Sequence, residues 1–400
     1  MSILVINAGS SSVKFGLFKF DDLRPIARGL LDWPGGDRRA AITLTPGSGE
    51  PIRHELDVPD YRAGVVAALQ MLDELEQGDG EDQAIRVVGH RLIHGGEEIR
   101  RPVLIDAALK QVIARYTHLA PLHIPAGLEA IAATEAALPE VPLVGLFDTA
   151  FFADIPPAAY LYPVPYEWYE DWRIRRYGFH GTSHAYCTQR AAEMLGCDVA
   201  GLRLAICHLG QGGSATAVRD GVALTNTMGY SPLEGFVMGT RSGTVDPGIL
   251  LHVLRDRGVS VEQLDDILHN RSGLLGLSGV SSDFRQVEAA AADGHRRARL
   301  ALEVYAYRVK MMIGSLAVAL EGINALVFTG GIGENSARLR DEVCRGLEFL
   351  GVHLDRVKNE QCRPDDNVAK ADSPVNVLVI HTREDLMIAR ESRRLVLERD

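Results

Sequence analysis

Two stretches of this chain share one order of apolar and polar positions, and most other elements fall into place around them. Residues 3–6 form an apolar run that ends at Asn7, followed by Gly9 and three serines. A second apolar run covers 13–18, with Lys14 on one face. This pattern predicts two strands joined by a Gly/Ser turn. Residues 204–217, LAICHLGQGGSATA, repeat it: a strand ending at His208, a Gly-rich turn with Ser214, and a second strand. Both copies continue through another polar turn, at 20–22 and 219–221. A turn rich in hydroxyls and backbone N–H groups beside an ammonium suits a phosphate, although serines also satisfy ordinary turns. The repetition favours two related domains that face one polyphosphate.

The rest of the chain alternates between helical and strand periods. Residues 61–75, 106–116 and 125–137 carry apolar positions at helical spacing, and 78–82 is a polar break. Residues 85–89 read as a buried strand running into His90 and Arg91, and 141–147 as another ending at Asp148. An arginine there can reach a ligand at the sheet's carboxyl edge, or form a surface ion pair. Asp148 can hold a metal or a proton, or cap a helix. Residues 155–172 hold four prolines and six aromatics, which suggests an ordered crossover and a domain boundary near 150. An Ala-rich helix follows, with Thr182 or Ser183 as N-cap and His180 just ahead, able to donate to an anion or to serve packing.

Later, Asp246 and Pro247 open a helix over 248–257. Residues 296–321 predict a long helix whose nearly all-apolar second half should be buried. A strand over 325–328 leads to a glycine turn at 329–335 and a helix over 337–347. Ser336 occupies the last glycine position of a dinucleotide fingerprint, so that reading is set aside. A strand over 377–380 precedes a closing helix from 386, with Thr382 and Asp385 as a capping box. That box leaves Glu384 unexplained.

With 400 residues, two domains are the expectation. No run of 18 uncharged apolar residues predicts a transmembrane helix, and no signal peptide is expected. Five cysteines without C-x-x-C spacing read as reduced thiols of a cytoplasmic protein. A net charge of −11 argues against a nucleic-acid surface. Only six of the 42 basic residues are lysine, so Lys14 is one of few ammonium groups. There is no Walker A motif, no Ser-His-Asp arrangement and no Cys/His metal cluster. Phosphate loops, strand-end acids and arginines from both halves instead fit phosphoryl transfer, in which charge management dominates.

Seven segments carry a resemblance: INAGSSSVK, GHRLIHGG, GFHGTSH, HLGQGGS, PLEGFVMGTRSG, TGGIGEN and EDLMIAR. In this order, over essentially the whole chain, they resemble the acetate kinase family. The resemblance implies an α/β fold of two ribonuclease-H-like domains, each a mixed sheet flanked by helices, with an interdomain cleft. The domains would be 1–150 plus the closing helix at 386–400, and 151–385, the latter binding nucleotide and forming a homodimer. It also implies reversible transfer of the ATP γ-phosphoryl group to acetate, giving acetyl phosphate and ADP, without a phosphoenzyme.

By the same resemblance, Asn7 and Glu384 would bind Mg²⁺, which Mn²⁺ could replace. Lys14 would sit near the nucleotide phosphates, with His208, Leu209, Gly210, Gln211 and Gly212 as the second phosphate loop. Asp283, Phe284 and Arg285, with Gly331, Ile332, Gly333, Glu334 and Asn335, would hold the adenosine. Arg91 would engage the acid or its phosphate, Arg241 and His180 the transferring phosphoryl group, and Asp148 would act at the same centre. Ile93, Leu122, Phe179 and Pro232 would line the alkyl pocket. The chain departs from the family pattern at Gln211 (Asn), Thr225-Asn226-Thr227 (Asp-Thr-Ser), Thr244 (Asp), Asp385 (Glu) and Ile93 (Val). Ile93 adds a methylene, worth only ~1–3 kcal/mol of discrimination, so propionate is the rival acid. An actin- or chaperone-like ATPase would need further contacts or domains.

Overall fold

The computed structural model describes residues 1–8, 12–32, 39–47, 49–58, 61–76, 84–121 and 123–399. Gly9, Ser10 and Ser11 of the first turn, the polar break at 78–82 and Leu122 lie outside the described residues. The chain forms two compact units, Met1–Ala153 with Arg383–Asp400, and Asp154–Thr382.

In the first unit, β1 (Ser2–Ala8), β2 (Ser12–Lys19), β3 (Pro25–Asp32), β4 (Arg39–Pro46) and β5 (Ile52–Asp57) form an antiparallel meander. β6 (Ile85–Leu92) and β8 (Leu143–Phe147) add in parallel beside β1, and β7 (Val103–Leu104) closes the edge antiparallel to β8. The order is β5-β4-β3-β2-β1-β6-β8-β7. β1 is apolar on both faces because both are covered. Leu4 and Ile6 pack under the helices Tyr61–Glu76 and Ile124–Ala137. Ile3 and Val5 pack against Ile388, Ala389 and Val396 of the chain's last helix, Glu384–Leu397. Gly89 permits that approach: a Cβ there would lie 2.4 Å from Ser392 Oγ and 2.5 Å from Ile388 Cγ2.

The second unit repeats the plan. β9 (Arg203–Leu209), β10 (Gly213–Arg219) and β11 (Val222–Asn226) are antiparallel, and β12 (Ala325–Thr329) and β14 (Asn376–Val379) add in parallel beside β9. β13 (Asp366–Asn367) closes the edge antiparallel to β14, giving the order β11-β10-β9-β12-β14-β13. Apart from β4 and β5, the two sheets have one topology, so the sequence repeat is a repeat of fold.

Several local expectations need correction. β6 does not stop at Gly89 but runs through Arg91, because Asn7 and Leu146 pair with that position on either side. The helix after residue 180 is Gly181–Leu195, and its N-cap is His180, not Thr182 or Ser183. The glycine turn after β12 is a short helix, Gly330–Asn335. The capping box is absent: the last helix begins at Glu384 with no side-chain cap, and Asp385 pairs with Arg28 at 3.2 Å. In the long helix Arg296–Ala319, Val309, Ile313 and Leu316 enter the core, but Val318 on the opposite face is 79% exposed.

Candidate active site

In the first unit the carboxyl ends of three parallel strands bring four of the expected residues together. Arg91, near the end of β6, donates from Nε and Nη2 to the two carboxylate oxygens of Asp148, at 3.1 and 2.7 Å. Its Nη1 donates to Asn7 Oδ1 at 3.3 Å, and Nε lies 3.5 Å from Glu384 Oε2. Asp148 follows β8 and its side chain is only 2% exposed. Glu384 is the first residue of its helix, where a negative charge is favoured by the helix dipole. Burial alone would lower the Arg91 pKa, but Asp148 and Glu384 more than compensate and raise it. Two carboxylates surround one guanidinium, so the formal charges of these three side chains sum to one unit negative.

Neighbouring motif residues shape the loops beside this cluster. His94 Nδ1 accepts from Gly96 N at 3.0 Å, and Thr149 Oγ1 from Gly95 N at 3.0 Å. Gly96 has φ +61°, and a Cβ on it would strike the Tyr116 ring. Ile93 is half-buried against the core, and Lys14 is exposed on β2, paired in register with Asn7.

In the second unit, His180 adopts φ +60° and ψ +30° ahead of its helix. Its ring stacks on His208 with centroids 4.4 Å apart, and its Nδ1 meets Ser214 Oγ at 2.9 Å. His208 Nδ1 meets Ser183 Oγ at 2.8 Å, and that hydroxyl meets Thr382 Oγ1 at 2.9 Å. Gly210 N donates to Gly212 O at 3.0 Å, while the Gln211 side chain packs on Gly239. Arg241 donates to Pro232 O at 2.7 Å and lies against Gly212, where a Cβ would be 2.3 Å from its Nη2. It makes no ion pair among the described residues, and burial lowers its pKa. Gly212 thus opens room for a cation that no carboxylate of the unit neutralises.

The residues expected at adenosine divide differently. Asp283 is an N-cap, accepting from Arg285 N at 2.9 Å, and it also pairs with the exposed Arg285 guanidinium at 2.7 Å. Phe284 packs into the core against Tyr305. Gly331 leaves open space, but the Glu334 carboxylate turns inward. It accepts from Gly330 N and Thr382 N at 3.0 Å and meets His381 Nδ1 at 2.6 Å. Burial alone would raise the Glu334 pKa, yet these bonds lower it on balance. Ile332 is half-buried against the core, Gly333 approaches Leu209, and Asn335 donates to Gly331 O at 2.8 Å. Phe179 is buried, and its carbonyl accepts from Asn226 Nδ2 at 3.3 Å.

Sequence reasoning missed a clasp that shapes the Pro232 loop. Glu234 accepts from Tyr162 Oη and from Arg176 Nη2, and Arg176 Nη1 also donates to Asn226 O and Met228 O. The aromatic, proline-rich crossover was the available signal.

A family model described as "Acetokinase family" matches residues 2–390. The chain belongs to the acetokinase family. An acetate kinase from Cyanothece sp. is 46% identical to it, covering 99% of this chain and 98% of the relative. The crystal structure of Porphyromonas gingivalis acetate kinase superposes with a TM-score of 0.92 at 39% identity, covering 99% of each chain. A propionate kinase structure from Francisella tularensis gives 0.90 at 37% identity, covering 98% of this chain and 99% of that one. Asn7, Arg91, Asp148 and Glu384, expected at the site from the resemblance, meet where β1, β6 and β8 end and the helix Glu384–Leu397 begins. No helix of the described residues is long and apolar enough to cross a membrane.

Proposed function

We propose that this chain catalyses reversible, direct in-line transfer of the γ-phosphoryl group of ATP to acetate, giving acetyl phosphate and ADP. The observation that carries the reading is the cluster of Asn7, Arg91, Asp148 and Glu384, in a chain matched end to end by acetate kinases.

The difficulty of the reaction is electrostatic. An acid carboxylate must approach a γ-phosphate of like sign, and unit charges ~4 Å apart interact by about 4 kcal/mol at an effective dielectric near 20. Arg91 offsets this at the acid, held in orientation by Asp148. Arg241 follows the charge as it spreads over the equatorial oxygens, and His180 donates to the same group. His208, Leu209, Gly210, Gln211 and Gly212, with Lys14, hold the chain of phosphates. Asp283, Arg285 and the 331–335 segment bound the adenosine, and Ile93, Leu122, Phe179 and Pro232 the alkyl group. A carboxylate nucleophile is ionised at pH 7, so the protein supplies no strong general base, and no side chain carries phosphate.

Asn7 and Glu384 offer hard oxygens beside a cluster left one unit negative, which suits Mg²⁺. Among the described residues no three His, Cys, Asp or Glu side chains are grouped to hold a metal alone. This agrees with an ion that completes its shell with water and substrate phosphate. Bound there, Mg²⁺ would neutralise phosphate oxygens.

The chain acts as a cytoplasmic homodimer in this reading. Leu300, Tyr307, Met311 and Val318 support that pairing: they form an exposed apolar stripe along one face of the long helix, 52%, 60%, 55% and 79% exposed.

The test is acyl phosphate formation from Mg-ATP with acetate, propionate and butyrate. Turnover highest on acetate is expected; ATP hydrolysis without acyl phosphate would end the reading, and preference for propionate would move it to that acid.

A further inference from the structure

The His180 ring is tied into a chain of polar groups that packing alone does not require. Its φ of +60° is strained for a residue with a Cβ, at about 1–3 kcal/mol, and such strain concentrates at functional sites. Ser214 Oγ, fully buried on β10, lies 2.9 Å from His180 Nδ1, 2.8 Å from His184 Nε2 and 3.4 Å from the Phe179 carbonyl oxygen. A hydroxyl has one proton to donate and two lone pairs with which to accept. His184 is fully buried, and that burial holds its pKa well below the usual imidazole value, so the ring is neutral with one N–H.

Three neutral arrangements satisfy these distances. In one, His184 Nε2–H donates to Ser214, Ser214 donates to His180 Nδ1, and His180 keeps its proton on Nε2. In the second every proton is reversed. In the third both rings donate to Ser214, whose hydroxyl donates to the Phe179 carbonyl oxygen across the long 3.4 Å contact. In both of these His180 Nε2 presents a lone pair, which repels a phosphoryl oxygen. We propose that His184 and Ser214 are positioning residues that hold His180 in the first arrangement, with Nε2–H as the donor edge. Stacking on His208 disfavours a doubly protonated His180, since two cationic rings 4.4 Å apart would repel, and leaves the choice of neutral tautomer to Ser214. Ser183, between His208 Nδ1 and Thr382 Oγ1, fixes the second ring of the stack in the same manner. The inference rests on the reading that His180 donates to the transferring phosphoryl group.

The test uses Ser214→Thr and Ser214→Val, which add equal bulk to a strand position while only Thr keeps the hydroxyl. Nitrogen chemical shifts of the ¹⁵N-histidine-labelled enzyme, with His180→Gln for assignment, report the tautomer independently of turnover. The wild type and the Thr variant should show the His180 proton on Nε2. Val should lose that preference and lower kcat about tenfold or more, below the ~10²–10³ of deleting a donor outright, with KM for ATP within about twofold. Equal kcat and equal spectra for Thr and Val would overturn the proposal. So would a wild-type proton on Nδ1, a result that stands even where a variant fails to fold. A wild type that forms no acyl phosphate would instead refute the function reading and leave the tautomer measurement intact.

Discussion

Arg91 and Arg241 should both be needed for turnover, yet their removal should have unequal effects on folding. Arg91→Ala removes the guanidinium that pairs with Asp148, whose side chain is only 2% exposed. Breaking a buried pair from one side destabilises by ~3–5 kcal/mol. The Arg91 side chain is 16% exposed and water reaches the pair from that edge, so about 2–4 kcal/mol is the working value. In a unit of roughly 170 residues, each kcal/mol shifts the midpoint by about 2–4 °C, giving a fall of about 4–16 °C. Arg241→Ala removes one bond to Pro232 O and a half-buried cation without a carboxylate partner, so its midpoint should move by less than about 2 °C. Both variants should lose ~10³–10⁵ in turnover, the range for an arginine that stabilises a transferring phosphoryl group. The double variant Arg91→Ala, Asp148→Asn should recover much of the lost stability and none of the activity. Calorimetry with a coupled acyl phosphate assay reads all three variants against the wild type. Equal melting points for the two single variants would refute the charge reasoning, as would near-normal turnover in either.

Three further outcomes follow from the same geometry. Gly89→Ala should destabilise by about 1–3 kcal/mol in urea titrations, because its Cβ would displace Ser392 and Ile388; an unchanged midpoint would contradict that packing. Burial lowers the pKa of His90 and His94 to about 3, against about 6.5 in an unfolded chain. The unfolded state therefore takes up protons that the folded state refuses, so this stability is present above about pH 6.5 and lost as pH falls toward 3. Each ring should contribute about 1.4 kcal/mol per pH unit, and His90→Gln should reduce the slope by that amount between about pH 6 and 4. Finally, Tyr307→Glu with Val318→Glu should convert a dimer to monomers in sedimentation velocity, and a monomeric wild type would remove the pairing proposal.

Strand cores and strand ends were readable from the chain because local pattern decides them. The run ending at Asn7, its echo at His208 and the run ending at Asp148 are apolar on both faces and stop where polar chemistry begins. Capping was misread where a side chain is committed far away. Ser183 bonds His208 and Thr382, so it cannot cap its own helix, and Thr382 is equally engaged before the last one. The extent of β6 depended on neighbours that no local pattern reveals. The clasp of Tyr162, Arg176 and Glu234 joins residues 72 and 58 positions apart, a distance over which spacing carries no signal. On the long helix, apolar positions do not by themselves say whether their partner lies inside the same chain.

The helix Glu384–Leu397 covers a face of the sheet that begins at residue 2. During synthesis the earliest strands must therefore wait, with Ile3, Val5 and Val87 uncovered on that side, until the helix Glu384–Leu397 has left the ribosome. Glu384 arrives with the same helix, so the acidic cluster around Arg91 is completed only after residues 154–382 have been made. A chain interrupted before residue 383 would keep the second sheet whole while uncovering one face of the first.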